Sequence, residues 1–352
     1  MKGLAMLKIG EIGWIEKERP TCGPSDAILR PLALAPCTSD VHTIWEGTIG
    51  ERHNLIMGHE ALGIVDEVGS GVRDFKPGDR VIVPACTPDW DSEAAQRGFP
   101  SQSGGLAGGW KYSNTKDGSF AEYFHIHMAD GNLAHLPDWM SLESGIMLPD
   151  MLTTGFMGAE NANIQIGSTV AVLGIGPVGL CAIAAARMRG AGRIFAVGTR
   201  PVPAKVAKTY GANDLISYKD GDTAEQILEA TGGAGVDAVV VAGGGPDILI
   251  DAFNMAKPGS VVSNCMVFGA TAPIPLSPAG WGLGVGSKDL RTGICPGGRV
   301  RMERLCEAVK YCGMDPALMA TQVFKGLDRI EEALLLMKSH KPEVIKPVVI
   351  CE

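Results

Sequence analysis

From about Asp150 onwards the chain alternates short apolar stretches with amphipathic ones, and this pattern restricts the fold more than any other feature. Thr169–Leu173, Arg193–Val197, Leu215–Ser217, Ala238–Val241 and Ser260–Cys265 have strand length, while Gly179–Arg189, Pro203–Tyr210, Thr223–Thr231 and Ile248–Met255 have helical spacing. Short apolar strands, each followed by a helix, fold as a parallel sheet covered on both faces, a doubly wound α/β unit. At roughly 150 residues per domain, 352 residues hold about two domains. Before Pro149, runs such as Ala27–Ala35, Ala61–Val68 and Arg80–Pro84 stand between turn clusters such as Lys76-Pro77-Gly78-Asp79, which predicts a β-rich domain. Beyond Arg291 the alternation ends in a Cys295-Pro296-Gly297-Gly298-Arg299 loop, helices around Met302–Tyr311 and Ile330–Met337, and a strand Ile345–Ile350. The expected division is 1–150, with 295–352 packing back on it, and 151–294.

Composition narrows the function. Hydrophobic residues at 45% and charged residues at 20% describe a folded globular chain. A net charge of -8 offers no electrostatic footprint for a polyanion, so nucleic acid is not an expected partner. The nine cysteines contain no C-x-x-C pair, which argues against a disulfide framework and for a reducing compartment, the cytoplasm. No apolar core of signal-peptide length precedes Glu11. Asn161–Ala186 is uncharged, but its four glycines, Pro177 and scattered amides predict turn, strand, turn and helix and exclude a membrane span.

Gly174-Ile175-Gly176-Pro177-Val178-Gly179 matches G-x-G-x-x-G directly after an apolar strand and at the start of a helix, the context in which the motif binds a dinucleotide. The first two glycines allow the turn and the approach of a pyrophosphate to helix N–H groups; the third allows helix and strand to pack closely. The end of the next strand usually carries a carboxylate for the ribose hydroxyls of NAD. Here it reads Gly198-Thr199-Arg200, and no acidic residue stands between Ala191 and Asn213. A guanidinium in that place binds a 2′-phosphate, so the expected cofactor is NADP.

In the first domain, Cys37-Thr38-Ser39-Asp40-Val41-His42 and Gly58-His59-Glu60 supply a thiol and an imidazole, a pairing that suits zinc. A third ligand is required, and Asp150, at the expected domain boundary, is a candidate. Taken singly, Cys37 reads first as a core thiol and His59 as a structural histidine.

Gly58-His59-Glu60-Ala61-Leu62-Gly63, followed by Gly69 and Val72, resembles the zinc signature of the medium-chain alcohol dehydrogenases. Phe75-Lys76-Pro77-Gly78-Asp79-Arg80-Val81 and the nucleotide motif follow in that family's order, so the resemblance spans essentially the whole chain. Cys37-Thr38-Ser39-Asp40, Thr87-Pro88-Asp89-Trp90, Asp150 and Gly198-Thr199-Arg200 are most similar to its tetrameric, NADP-dependent secondary alcohol dehydrogenases. The resemblance implies a GroES-like catalytic domain, a Rossmann domain and a homotetramer. It implies one catalytic zinc per chain on Cys37, His59 and Asp150, with Glu60 able to approach it. The four clustered cysteines of a structural zinc are absent.

Thr38, Ser39 and His42 would be the catalytic residues, Ser39 accepting the alcohol proton and His42 passing it to solvent. NADP would contact Gly174 to Gly179, Gly198, Thr199, Arg200, Tyr218, Cys265, Met266 and Val267. Ile49, Ala85, Trp110, Ile294 and Cys295 would line a pocket for a small secondary alcohol or ketone. Met157, Met266 and Val267 depart from the family's usual residues, which leaves the preferred substrate size open, and Ser339-His340-Lys341 replaces a run that in the family supplies a lysine to the cofactor phosphate, which leaves that contact open. The competing readings are a polyol or sugar dehydrogenase on the same zinc scaffold, and a non-catalytic protein that kept the fold.

Overall fold

Ala27–Leu34 is buried at every position except Arg30 and Pro31. So continuous an apolar strand must be covered on both faces, and it runs through the middle of a sheet. It pairs antiparallel with Ala61–Val68, Lys346–Ile350 and Phe124–Ile126, and its register slips after Pro31, which has no N–H to give to a ladder. The full sheet has seven strands. Its main path runs Ala320–Lys325, Lys346–Ile350, Ala27–Leu34, Ala61–Val68, Arg80–Val83 and Ala134–His135. A three-stranded antiparallel sheet is made by Glu11–Glu16, Lys2–Lys8 and Leu55–Ile56. Their common core includes Leu4, Met6, Leu29, Leu34, Ile56, Val65, Val83, Phe120 and Phe124.

The computed structural model describes residues 1–245, 247–268 and 273–352. Its chain divides into two units, Met1–Thr153 with Cys295–Glu352, and Thr154–Ile294.

In the second unit six parallel strands follow the order Asp214–Ile216, Arg193–Val197, Thr169–Leu173, Val236–Val241, Ala256–Asn264, Asp289–Thr292. Numbered by sequence this is 3-2-1-4-5-6, the order of a doubly wound dinucleotide fold, whose ligands bind outside the carboxyl ends of the strands where the order reverses. That reversal falls at Thr169–Leu173, the strand that runs into Gly174. Helices Pro177–Met188, Pro201–Thr209, Thr223–Ala230 and Ile248–Met255 lie where periodicity puts them, within two residues at each end.

Asp289–Thr292, Ala320–Lys325 and Thr153–Asn161 are among the elements whose sequence signal is too weak to read. Asp289–Thr292 is an edge strand exposed at all four positions, so it lacks the apolar alternation that marks a strand. Ala320–Lys325 is only partly buried and is joined to its parallel neighbour Lys346–Ile350 through helix Ile330–Lys338. Helix Thr153–Asn161 follows directly on a π-helical turn, Leu148–Leu152, without a capping residue. Asn161–Ala186 is a helix end, a strand, a turn and a second helix. No helix among the described residues is long and apolar enough to cross a membrane.

Candidate metal centre and nucleotide site

Sheet register gathers the candidate metal-binding side chains. Leu34 lies opposite Ala61, which places Cys37, three residues past one strand, beside His59 and Glu60, just before the other. The Ala35 N–H donates to the Glu60 carbonyl at 3.3 Å. Ala61 also pairs with Val83, and two residues beyond that strand the Ala85 N–H donates to the Pro149 carbonyl at 2.9 Å, fetching the turn that carries Asp150. Gly58 is at φ +93°, and a Cβ there would fall 2.2 Å from the Phe120 ring, so the residue before His59 must be glycine.

The result is a cluster of Cys37, His59, Glu60 and Asp150, each with one ligand atom within 4.8 Å of all the others. Asp150 Oδ2 stands 3.7 Å from Cys37 Sγ and 3.5 Å from His59 Nε2. Asp40, buried, accepts the Cys37 N–H at 2.9 Å with one oxygen and meets His59 Nδ1 at 3.1 Å with the other. A proton on Nδ1 in that bond leaves the Nε2 lone pair free toward Asp150 and Cys37, as a metal-ligating histidine requires.

Glu60 is fully buried and forms an ion pair with the fully buried Lys346 through Oε1, while its Oε2 has no hydrogen-bond partner. An orphaned carboxylate oxygen at this depth is costly unless a cation completes it. One thiol, one imidazole and two carboxylates around a common point fit a tetrahedral zinc ion with room for exchange.

The electrostatics point the same way. Burial works against a charged His59, but Asp40 and Asp150 outweigh it and hold the imidazole well above its ordinary pKa. Burial raises the Cys37 thiol, and Lys346 opposes it. Burial also penalises the Lys346 ammonium, yet Glu60 and Cys37 more than compensate and keep it protonated. Protons and a divalent cation therefore compete for the same donors, and cation binding must release protons.

Around this cluster, Ser39 Oγ lies 3.3 Å from His59 Nε2. Thr38 opens the short helix Thr38–Val41 for which Cys37 is the N-cap. His42 follows at the next turn, half-exposed, with Nδ1 2.7 Å from Glu46. The Trp110 ring meets His59 edge-on at 5.8 Å. Ala85 and Cys295 are buried and Ile49 is half-buried. Ile294 closes the second unit, one residue before the chain returns to the first at Cys295.

In the second unit, Gly174 is at φ +95°, and a Cβ would fall 2.7 Å from the Gly243 backbone. A Cβ on Gly179 would lie 1.8 Å from the Gly174 carbonyl oxygen, so only glycine lets the helix start against the turn. A Cβ on Gly176 would meet nothing within 4 Å. Gly176 is also the N-cap of Pro177–Met188 and gives no side-chain cap, the arrangement in which the first N–H groups of a helix can take a phosphate. Ile175 is buried and Val178 half-buried.

One strand over, a Cβ on Gly198 would lie 2.2 Å from Ile175, Thr199 Oγ1 donates to the Tyr218 hydroxyl at 3.0 Å, and Arg200 is the N-cap of Pro201–Thr209. Burial lowers the Arg200 pKa and Tyr218 opposes it. Cys265 and Met266 are half-buried just past strand Ala256–Asn264, and Val267 is exposed.

Two residues were missed as members of the metal centre. Asp40 stood inside the quoted motif at a spacing that returns it to Cys37 after one turn of helix. Lys346 interrupts an apolar terminal strand, which is the signal a buried charge leaves in sequence.

Residues 23–138 match the model of the alcohol dehydrogenase GroES-like domain, and residues 177–295 match that of the zinc-binding dehydrogenase. The chain is 58% identical over 350 residues to a protein of Thermoanaerobacter brockii named NADP-dependent isopropanol dehydrogenase, covering 99% of each. It is 55% identical to a protein of the same name from Entamoeba histolytica, covering 99% of this chain and 95% of the other. Among solved structures, zinc-dependent alcohol dehydrogenase 2 from Streptococcus pneumonia superposes with a TM-score of 0.89 at 27% identity, over 100% of this chain and 99% of that one. The expected architecture, a GroES-like domain with a doubly wound sheet, agrees with these matches. With both domain models matched in order and full-length relatives above half identity, the chain belongs to the zinc-binding alcohol dehydrogenase family.

Proposed function

We propose that this protein interconverts small secondary alcohols and ketones by hydride transfer with NADP(H), using one zinc ion held by Cys37, His59 and Asp150 with Glu60 in reserve. The observation that carries this reading is the convergence of those four donors. The relatives named for NADP-dependent isopropanol oxidation support the substrate class and the cofactor. A single zinc is supported by the sequence, in which Cys86 is the lone cysteine between Cys37 and Cys181.

Zinc bound to this donor set would act as a Lewis acid, lowering the pKa of a bound hydroxyl as it lowers that of water from 15.7 to about 7. The chain's own residues do the rest. Asp40 fixes the His59 tautomer and ring, a positioning role whose loss typically costs ten- to a hundredfold in metal affinity. Ser39 Oγ takes the alcohol proton, and His42, paired with Glu46 and half-exposed, hands it to solvent. Ile49, Ala85, Trp110 and Cys295 supply the apolar surface that excludes water from the carbinol carbon. The unit Thr154–Ile294 binds NADP, its helix N-terminus taking the pyrophosphate and Arg200, with Thr199 and Tyr218, the 2′-phosphate.

A tetramer is supported by the bare edge strand Asp289–Thr292 and the exposed side chains of Trp281, Leu283, Val285 and Leu290, which a second copy would cover. Nine free cysteines favour the cytoplasm.

Metal analysis of the purified protein beside acetone-dependent oxidation of NADPH and NADH tests the reading. It is expected to give one zinc per chain and a strong preference for NADPH. Absence of zinc, or equal use of the two cofactors, would sink it. Arg200→Ala should lower kcat/KM for NADP about 10- to 100-fold, the worth of a charge-assisted phosphate contact, and leave that for NAD nearly unchanged. A parallel fall in both would remove Arg200 from the phosphate site.

A further inference from the structure

Cys86 and Cys295 are separated by 209 positions yet their sulfurs stand 3.3 Å apart, both residues are buried, and neither sulfur serves the proposed metal centre. The contact is built by backbone packing. A Cβ on Gly297 would lie 1.7 Å from the Cys86 carbonyl oxygen, so the returning segment runs directly against Cys86 only because that residue is glycine. Ser101 Oγ holds the Cys295 carbonyl at 2.9 Å from the other side. Cys86 is 1% and Cys295 6% exposed, so a peroxide would reach the pair through local opening of the fold.

We propose that Cys86 and Cys295 are an oxidisable dithiol, a modification site at which a peroxide converts the pair to a disulfide and reversibly disables the enzyme. Cys295 donates its S–H to the Cys86 sulfur, which leaves Cys86 as the attacking group of the scheme.

In the first step the Cys86 sulfur attacks one peroxide oxygen. The O–O bond breaks, the leaving hydroxide takes up the thiol proton as water, and Cys86 becomes a sulfenic acid. In the second step the Cys295 sulfur displaces that hydroxyl, which leaves with the Cys295 proton as a second water, and the S–S bond forms. Two thiols have lost two electrons and the peroxide has gained them.

Bridging requires the sulfurs to close from 3.3 Å to about 2.05 Å. The pull falls on the segment whose Ala85 N–H is bonded to the Pro149 carbonyl, next to Asp150, and on Cys295 itself. Only this consequence for activity rests on the alcohol dehydrogenase reading; the cross-link does not.

The test is peroxide treatment of the zinc-loaded protein, followed by peptide mapping, metal analysis and ketone reduction. The expected result is a Cys86–Cys295 linked peptide, unchanged zinc, and a fall in rate of about tenfold or more, as a displacement near 1 Å at a reacting site produces. Dithiothreitol should restore the rate. Cys86→Ser and Cys86→Val, each compared with its own untreated rate, should keep theirs.

The proposal is overturned if the exposed Cys312 oxidises while no 86–295 peptide forms. It is overturned equally if the Cys86 variants lose activity as steeply as the parent, or if the loss tracks departure of zinc. The linked peptide is read by mass, so it reports on the dithiol even if the substrate assignment fails.

Discussion

His59→Ala will lower kcat/KM for 2-propanol oxidation by about 10⁴-fold or more, and zinc content will fall with it. Half of the polarisation that zinc imposes on bound water is already more than four pKa units, and each unit is a decade. His59 is the hub of the cluster: its Nε2 faces Asp150 and Ser39 while Asp40 grips its Nδ1. Removing it takes one ligand from the metal and leaves Asp40 with a buried carboxylate oxygen facing a void. NADP affinity, measured by fluorescence titration, should change little, because no ligand of the proposed nucleotide site is touched. A variant that kept its zinc and stayed within tenfold of the parent rate would contradict the placement of the metal.

Lys346→Met is expected to destabilise the metal-stripped protein by about 3–5 kcal/mol, the usual cost of removing one partner from a buried ion pair. Lys346 and Glu60 are both fully buried, and among the described residues the ammonium removed is the counter-charge bonded to the Glu60 carboxylate. Replacing both partners, in Lys346→Met with Glu60→Leu, should recover most of that loss, because an apolar pair of similar size carries no desolvation penalty. Thermal unfolding of the parent, single and double variants reads the difference directly. A single variant as stable as the parent would mean that the pair contributes nothing to the fold.

Much of this was legible beforehand, and the reason is local. The β-α alternation could be read because each strand and helix of the second unit buries a face that repeats at its own period, as in Val236–Val241 and Pro177–Met188. Gly174 and Gly179 could be read because the turn holds Gly174 at φ +95° and the Gly174 carbonyl oxygen, five residues away, leaves no room for a Cβ on Gly179; Gly176, where a Cβ would meet nothing, was legible only through the motif. Asp289–Thr292 could not, since a strand exposed at every position owes its shape to its hydrogen-bonded neighbour Ala256–Asn264 and carries no pattern of its own. For the metal centre, Cys37, His59, Glu60 and Asp150 were chosen as candidates from residue type and a family resemblance.

By itself the sequence determined the classes of element, the glycine turn that opens the nucleotide helix, and the supply of soft and hard metal donors, because these depend on interactions within a few residues. The tertiary structure alone decided that Asp40 would orient His59, that Lys346 would sit against Glu60 from 286 positions away, and that Cys86 would meet Cys295. Those pairings follow from sheet register: setting Leu34 against Ala61, and Ala61 against Val83, fixes which side chains share the space beyond the strand ends. Register is chosen by burial over the whole sheet, and no short window of sequence contains it.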